Sequence, residues 1–522
     1  MGRKTGIITA KDIERAESLP ALVKQLVKQT TSTDSEVKNT AAASLRSLAT
    51  QNHGEYIDAL FQAGVVPALV KLLSEGSAKS SEAAAGALHA IMRDKVAHQV
   101  AMVNAGGIEP LVRLLKSGGP KLQEVAASAL ASLQSDVSHQ KQIMQLGCIT
   151  LLFALLQQGS DAAKASAAQG LANAAAFSAD AQNSILRSGA IPVLVQLLAV
   201  GAAQKPAAAA LAQLARDNPA VQTELAVSNA IPPLLSLLNG QNVEVQAQVA
   251  AAIAQMAKDH PGNQAAIAQA GGIAPLMALL APTSRRGVEA VQAHVLTALA
   301  QLARDNPDNQ DAIARCGGLK PVVHHLETTY SSKDVQAQAA FAIMEITKSN
   351  LANQNTVVDL GGTIHLSALI NQSPHPVVKA EVAGALWALS EDPENKTVIA
   401  RAGTIAMLGS LLGSSDERAH THAANALASI GRGNETHQVQ ITQMLLDLLL
   451  TGPEEAQHRA VRALRSLVEE NQEASLLIAE AGNPAKLVDL LQNGKPSTDW
   501  TRATTHPLSP SPAPNPLTTM CL

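Results

Sequence analysis

The sequence predicts an all-α fold, a solenoid in which short helices stack repeat upon repeat. Three observations predict it. A glycine recurs at Gly64, Gly106, Gly147, Gly189, Gly271, Gly317, Gly361, Gly403 and Gly482, with Asn229 standing in its place once. The steps up to Gly403 are 42, 41, 42, 40, 42, 46, 44 and 42 residues, and the last step of 79 is two more units. That period is the signature of stacked helical repeats. Within each period apolar residues return at helical spacing. Finally, 46% of the chain is hydrophobic but only 2% aromatic, so the core is built from Ala, Leu, Ile and Val, small enough for neighbouring helices to approach closely.

Residues 291–326 show one unit in full. Val291, Val295, Leu299 and Leu302 step by four, four and three, which places them on one face of a long helix. Asp305-Asn306-Pro307 ends that helix near Arg304, because proline biases its predecessor away from helical geometry. A short helix follows over 309–315, and Gly317-Gly318 stop it through the left-handed turn of a C-terminal cap. Pro321 suits the opening turn of a third helix.

From the N-terminus, residues 1–7 are expected to be disordered, and 8–28 form an irregular, more polar helical cap on the first exposed face. Eleven long helices are expected over 36–49, 81–93, 122–134, 162–175, 203–216, 243–258, 288–304, 334–348, 376–390, 417–432 and 453–468. Inserted residues at 281–289 and 327–333 account for the spacings of 46 and 44. The Gly-Gly turn is missing over 437–450, where the unit is degenerate and the stack has room to bend. The solenoid therefore runs over 8–494. Residues 495–522, rich in Pro, Ser and Thr, form a disordered tail in which Ser509-Pro510 and Ser511-Pro512 are candidate phosphorylation sites.

Composition also excludes classes of function. A net charge of −4 over 522 residues gives no field that would recruit nucleic acid or an anionic membrane. Cys148, Cys316 and Cys521 match no disulfide framework and no metal spacing, which suits a reducing compartment. No run of eighteen apolar residues and no secretory or acylation signal is present, so no integral membrane association is expected. The histidines, including His324-His325 and His420-Thr421-His422, lack the spacing of a metal site. No phosphate loop, nucleophile elbow or dinucleotide fingerprint occurs, so no cofactor, small-molecule substrate or enzymatic activity is expected.

A unit of about 42 residues with two short helices and one long one, glycines before the last short helix and proline within it, resembles the armadillo repeat. Residues 214–238, 256–280 and 302–323 show the pattern most clearly. The resemblance covers 34–494 and implies a right-handed superhelix. It also implies that the long helices line a concave groove binding extended segments of partner proteins.

Nuclear-import members of the family hold their ligand with a Trp and an Asn four residues later on the long helix, positions that share one helical face. Here only Trp387 keeps the aromatic, paired with Glu391, and no position keeps the Asn. The resemblance thus disfavours an import adaptor. Arg93, Arg216, Lys258, Arg304, Lys348 and Arg432 replace the Asn instead, a basic ladder with its longest unbroken run from Arg216 to Lys348. With helices about 10 Å apart and about 3.3 to 3.6 Å per extended residue, one rung would meet every third residue of a partner. An acidic extended segment fits that ladder, as in the catenin branch. Against it, a cation near a helix C-terminus is favoured by the helix dipole alone, and Asp94, Asp217, Asp259 and Asp305 follow four rungs.

The sequence therefore points to a non-enzymatic armadillo scaffold in the cytoplasm, extending to the nucleus. Arg93, Arg216, Lys258, Arg304, Lys348, Trp387 and Arg432 are its candidate groove residues. The alternative is an organelle-membrane adaptor similar to the vacuolar armadillo proteins.

Overall fold

The structure, a computed structural model, describes residues 19–51, 54–93, 95–133, 137–281, 287–327, 331–401 and 403–468. The expected disordered ends (1–7 and 495–522), the last stretch of solenoid (469–494), and Asp94, Glu469, Gly482 and Cys521 lie outside the described residues. The described residues are helical throughout, without a strand among them.

Eleven long helices recur. They are α1 (Ser35–Thr50), α2 (Ala78–Met92), α3 (Pro120–Ala131), α4 (Asp161–Phe177), α5 (Gln204–Ala215), α6 (Val243–Ala257), α7 (Glu289–Ala303), α8 (Lys333–Thr347), α9 (Pro376–Leu389), α10 (Glu417–Gly431) and α11 (Glu454–Val468). Two shorter helices separate most consecutive pairs. The chain divides into two compact units, residues 1–275 and 276–522. In the first, α1 to α6 pack side by side in chain order; in the second, α7 to α10 do the same.

Local chemistry sets the boundaries. Asp34, Ser77, Ser160, Asn242 and Asp416 cap α1, α2, α4, α6 and α10, each side chain accepting from backbone N–H groups of the first turn. The turn before the third helix is left-handed at Gly317, φ 73°, and at seven of the other recurring glycines. Asn229 takes the same conformation, φ 55°, because its short amide tolerates the left-handed region better than most side chains.

Two boundaries differ from the sequence-based expectation. The second helix of the 291–326 unit is Pro307–Arg315, opening on the proline itself. Proline lacks only an N–H that the first turn leaves unpaired in any case, so it opens this helix as well as closing α7. Over 437–450 one helix stands where a regular unit has two. Glu435–Thr451 is one continuous helix of 17 residues, because no glycine divides it, and it packs along α11.

The core is layered from small residues. On α2, Ala83, Ala84, Ala85, Ala87 and Leu88 are buried, and on α8, Ala337, Ala339, Ala340, Ala342 and Ile343. The long helices approach closely at Gly384 of α9, where a Cβ would lie 2.6 Å from Met344 Sδ of α8 and 2.8 Å from His422 Nδ1 of α10. A larger residue there would push the Met344 and His422 side chains aside.

Candidate functional site

All six cations of the ladder sit at the same structural place, the residue just beyond a long helix or its cap. Arg93, Lys258, Arg304, Lys348 and Arg432 are the C-cap residues of α2, α6, α7, α8 and α10, each with its N–H donating to the carbonyl four residues earlier. Arg216 caps α5. Asp217, Asp259, Asp305 and Ser349 follow four of them in the left-handed conformation, φ 49° to 55°, and Gly433 does so after Arg432, φ 71°.

This geometry decides how much free charge the ladder carries. Lys258 Nζ lies 2.6 Å from Asp217 Oδ1, and Lys348 Nζ 2.9 Å from Asp305 Oδ1, so each lysine reaches back to the acid of the preceding repeat. Arg304 donates from Nη2 and Nε to Glu345 Oε1, at 2.9 and 3.1 Å, and its guanidinium stands 5.6 Å from the Phe341 ring centroid. Lys258, Arg304 and Lys348 are therefore charge-compensated within their own unit. Arg93, Arg216 and Arg432 are exposed. Glu391, at the rung between Lys348 and Arg432, accepts from Ser349 N and Gln354 Nε2 with one carboxylate oxygen.

Trp387 is half-buried on α9, its ring 6.3 Å from that of His422, whose Nδ1 lies 2.9 Å from the Ala380 carbonyl. Beside it Glu381, nearly sealed, takes a 2.7 Å hydrogen bond from Arg418 Nη1. Burial raises the Glu381 carboxyl above its ordinary range, opposed by Arg418 and His422 and reinforced by Asp416 and Glu345.

In the first unit the long-helix faces of α2, α3 and α4 and the start of α5 open into a cleft of about 430 Å3. It is lined by Arg93 and His89 at one end and by Lys205 and Pro206 at the other. Between them lie Ser128, Ser132, Ala165, Ser166 and Gln169. Among the described residues, two cations and no carboxylate line it. Burial lowers the His89 pKa below its ordinary value, the Ser128 carbonyl opposes that shift, and nearby Arg93 adds to it, so the imidazole is neutral at pH 7. Its Nδ1 lies 3.0 Å from the Ser128 carbonyl and 2.6 Å from Ser132 Oγ. A carbonyl only accepts, so Nδ1 carries the proton.

The residues that hold the rungs in place escaped the sequence reading. Gln222 Nε2 donates to the carbonyls of Ala215, Gln255 and Lys258 at 3.4, 2.8 and 3.1 Å. Gln182 and Gln310 repeat this one repeat earlier and two later. Each ties the carbonyl end of one long helix to that of the next. Lys396 occupies the place in a later repeat, its Nζ donating to the Arg432 carbonyl at 2.8 Å. The signal was present as the recurring Asn-Gln pairs at 263–264, 309–310 and 353–354.

The armadillo/β-catenin-like repeat matches at residues 55–92, 96–133 and 218–258. These segments bracket α2, α3 and α6 with the helices before them. Among solved structures, the crystal structure of an engineered protein from the Northeast Structural Genomics Consortium is 33% identical. The alignment covers 79% of this chain and 99% of that one, with a TM-score of 0.63. Two designed armadillo repeat proteins align over 45% of this chain and 99% of their own. One, YIII(Dq)4CqI, is 28% identical with a TM-score of 0.41, and the other, solved with the peptide (KR)4, is 27% identical with a TM-score of 0.40. No curated protein matches the sequence. With the repeat anatomy above, the repeat match and the 33% identical engineered protein place the chain in the armadillo repeat family.

Proposed function

We propose that this chain is a non-enzymatic scaffold that binds extended segments of partner proteins along its long-helix faces. The observation that carries the reading is the cleft over α2 to α5, which crosses four successive repeats and has Ser128, Ala131, Ser132, Ala165 and Ser166 along its middle. An extended backbone spans about 3.3 to 3.6 Å per residue, so a segment of partner chain fits such a strip. The armadillo repeat is a family of protein- and peptide-binding modules, which supports the same reading. The acidic character expected of the partner rests on the exposed Arg216 in the first unit and Arg432 in the second, since Lys258, Arg304 and Lys348 hold acids of their own. The exposed free thiol of Cys316 supports a reducing, cytoplasmic or nuclear setting.

The test is selection from a degenerate library of displayed 12-residue peptides against the full chain. Selected peptides should compete with one another, and Ser166→Trp, which fills the cleft, should abolish binding while leaving thermal unfolding in place. Peptides that bind the filled variant as well as the parent would remove the cleft from the function.

A further inference from the structure

The middle of the cleft is one hydrogen-bonded cluster. His89 Nδ1 lies 2.6 Å from Ser132 Oγ and 3.0 Å from the Ser128 carbonyl, and Ser128 Oγ lies 2.7 Å from Ser166 Oγ. These contacts join α2 to α3 and its cap, and α3 to α4. One turn beyond Ser166, Gln169 Nε2 donates to Asn173 Oδ1 at 2.9 Å, and Asn173 Nδ2 donates to the Ala131 carbonyl at 2.6 Å. A carbonyl only accepts, so Asn173 turns its nitrogen to Ala131 and its oxygen to Gln169, which fixes the Gln169 amide as well.

The hydroxyl protons of the cluster are already committed. Ser132 Oγ donates to the Ser128 carbonyl at 3.0 Å. Ser128 Oγ and Ser166 Oγ reach the carbonyls of Glu124 and Ala162, at 2.9 and 3.0 Å, and across the 2.7 Å between them one hydroxyl donates to the other. His89 carries its proton on Nδ1, and burial keeps the ring neutral. Among the described residues, no group donates to His89 Nε2 or to Gln169 Oε1. Of the two Nε2 protons of Gln169, one goes to Asn173. What remains for a ligand is an acceptor on His89, an acceptor on Gln169 and one Gln169 proton.

We propose that the centre of the cleft is a carboxamide subsite, taking a side-chain amide of an extended partner segment against His89 Nε2 and the Gln169 amide. This rests on the scaffold reading above and names the chemistry of the segment at one register. A carboxamide supplies two N–H protons and an acceptor oxygen, the complement of the groups the cluster leaves open. A carboxylate brings no proton and would face lone pairs. An ammonium group has no acceptor for the Gln169 proton, and no carboxylate among the described lining residues would compensate its charge. An apolar side chain would cover His89 Nε2 and Gln169 without pairing them, which costs their desolvation.

The experiment uses the full-length chain and four synthetic pools of nine-residue peptides, read by fluorescence anisotropy at neutral pH. The central residue is fixed as Gln, Glu, Lys or Met, side chains of similar length, and the flanks are degenerate and uncharged. The Gln pool should bind more tightly than each of the other three, by about two- to tenfold, the range of a net neutral hydrogen bond. His89→Leu and Gln169→Leu, each checked by thermal unfolding, should erase that preference while the Met pool still binds. Gln169→Leu leaves the His89 contacts with Ser128 and Ser132 in place, so it decides the matter if the His89 variant fails to fold. Lys71→Gln, which breaks an exposed pair with Glu75 outside the cleft, should change nothing.

Equal binding by all four pools would overturn the subsite and leave the scaffold standing. A preference for Glu, Lys or Met, or a Gln preference that survives Gln169→Leu, would overturn it in the same way. Absence of binding by every pool would overturn both readings.

Discussion

Lys348 Nζ lies 2.9 Å from Oδ1 of Asp305, a residue 43 positions earlier that follows the preceding rung of the ladder and holds a left-handed backbone, φ 49°. One aspartate thus serves two purposes. Its short side chain tolerates a conformation most residues avoid, and its carboxylate quenches the lysine of the next repeat.

A substitution series at Asp305 separates these purposes. Asp305→Asn keeps tolerance of the left-handed region and loses only an exposed ion pair, so it should cost within about 0.5 kcal/mol. Asp305→Gly relieves the backbone and loses the same pair, and should fall near the parent. Asp305→Val must place a β-branched residue at positive φ and should cost about 1–2 kcal/mol. Urea unfolding of the four proteins gives the order; Val as mild as Asn would mean that the turn relaxes freely.

Glu381 gives the stability a pH dependence of definite sign. Burial favours its neutral form in the folded chain, so the native pKa lies above the ordinary carboxyl value. Between the unfolded and folded pKa values the native state retains a proton the unfolded chain has released. Stability from this group therefore falls as pH rises through that window. Glu381→Gln should be more stable than the parent at pH 7, the advantage vanishing below the ordinary glutamate pKa, with Arg418 still able to donate to the amide oxygen. Thermal melts of both proteins across pH 4 to 8 check this. A parent more stable than the variant at neutral pH would show that attraction to Arg418 outweighs burial.

The repeat was legible because backbone punctuation is local. Gly317, Asn306 and Pro307 each act within a few residues, so their spacing alone fixes the helices. The inter-repeat chemistry was not legible, because it depends on which atoms a neighbouring repeat presents. Gln222 and Gln310 look like solvent-facing polar residues on short helices, and only the carbonyl ends of two long helices show why they are buried. The aspartates after the rungs were visible, but not that each lysine reaches back one repeat to its acid. The cleft runs from Arg93 to Lys205, at opposite ends of helices three repeats apart, a course no period contains.

The two described thiols should behave as opposites. Cys148 is buried at the start of the helix Cys148–Gln158, and burial pushes its pKa up to about 12; Cys316 is exposed. At pH 8 a thiol-reactive reagent should label Cys316 within the native protein and reach Cys148 only as the first unit opens. Peptide mass mapping after timed labelling reads the two sites separately. Equal rates would mean that the helix around Cys148 opens on the labelling timescale.

Gln310 ties two repeats of the second unit through a single side chain. Its Nε2 faces the carbonyls of Ala303, Glu345 and Lys348, at 3.4, 2.9 and 3.2 Å, so one amide ties the ends of α7 and α8. Gln310→Leu keeps much of the volume and removes both protons, stranding the Glu345 and Lys348 carbonyls past the end of α8, while the Ala303 carbonyl keeps the N–H of Asn306. The loss should be about 1–3 kcal/mol, the cost of leaving buried acceptors unsatisfied. Gln310→Glu should cost more, since an ionised carboxylate would face carbonyl oxygens. Gln310→Lys should recover part of the loss, because Lys396 already fills this role at the Arg432 carbonyl. Hydrogen exchange resolved to the last turns of α7 and α8 distinguishes a local from a global effect. Protection should fall there first in the leucine variant and return in the lysine variant. An unchanged exchange pattern in all three would mean that packing of Ala303 and Ile346 alone holds the two helix ends together.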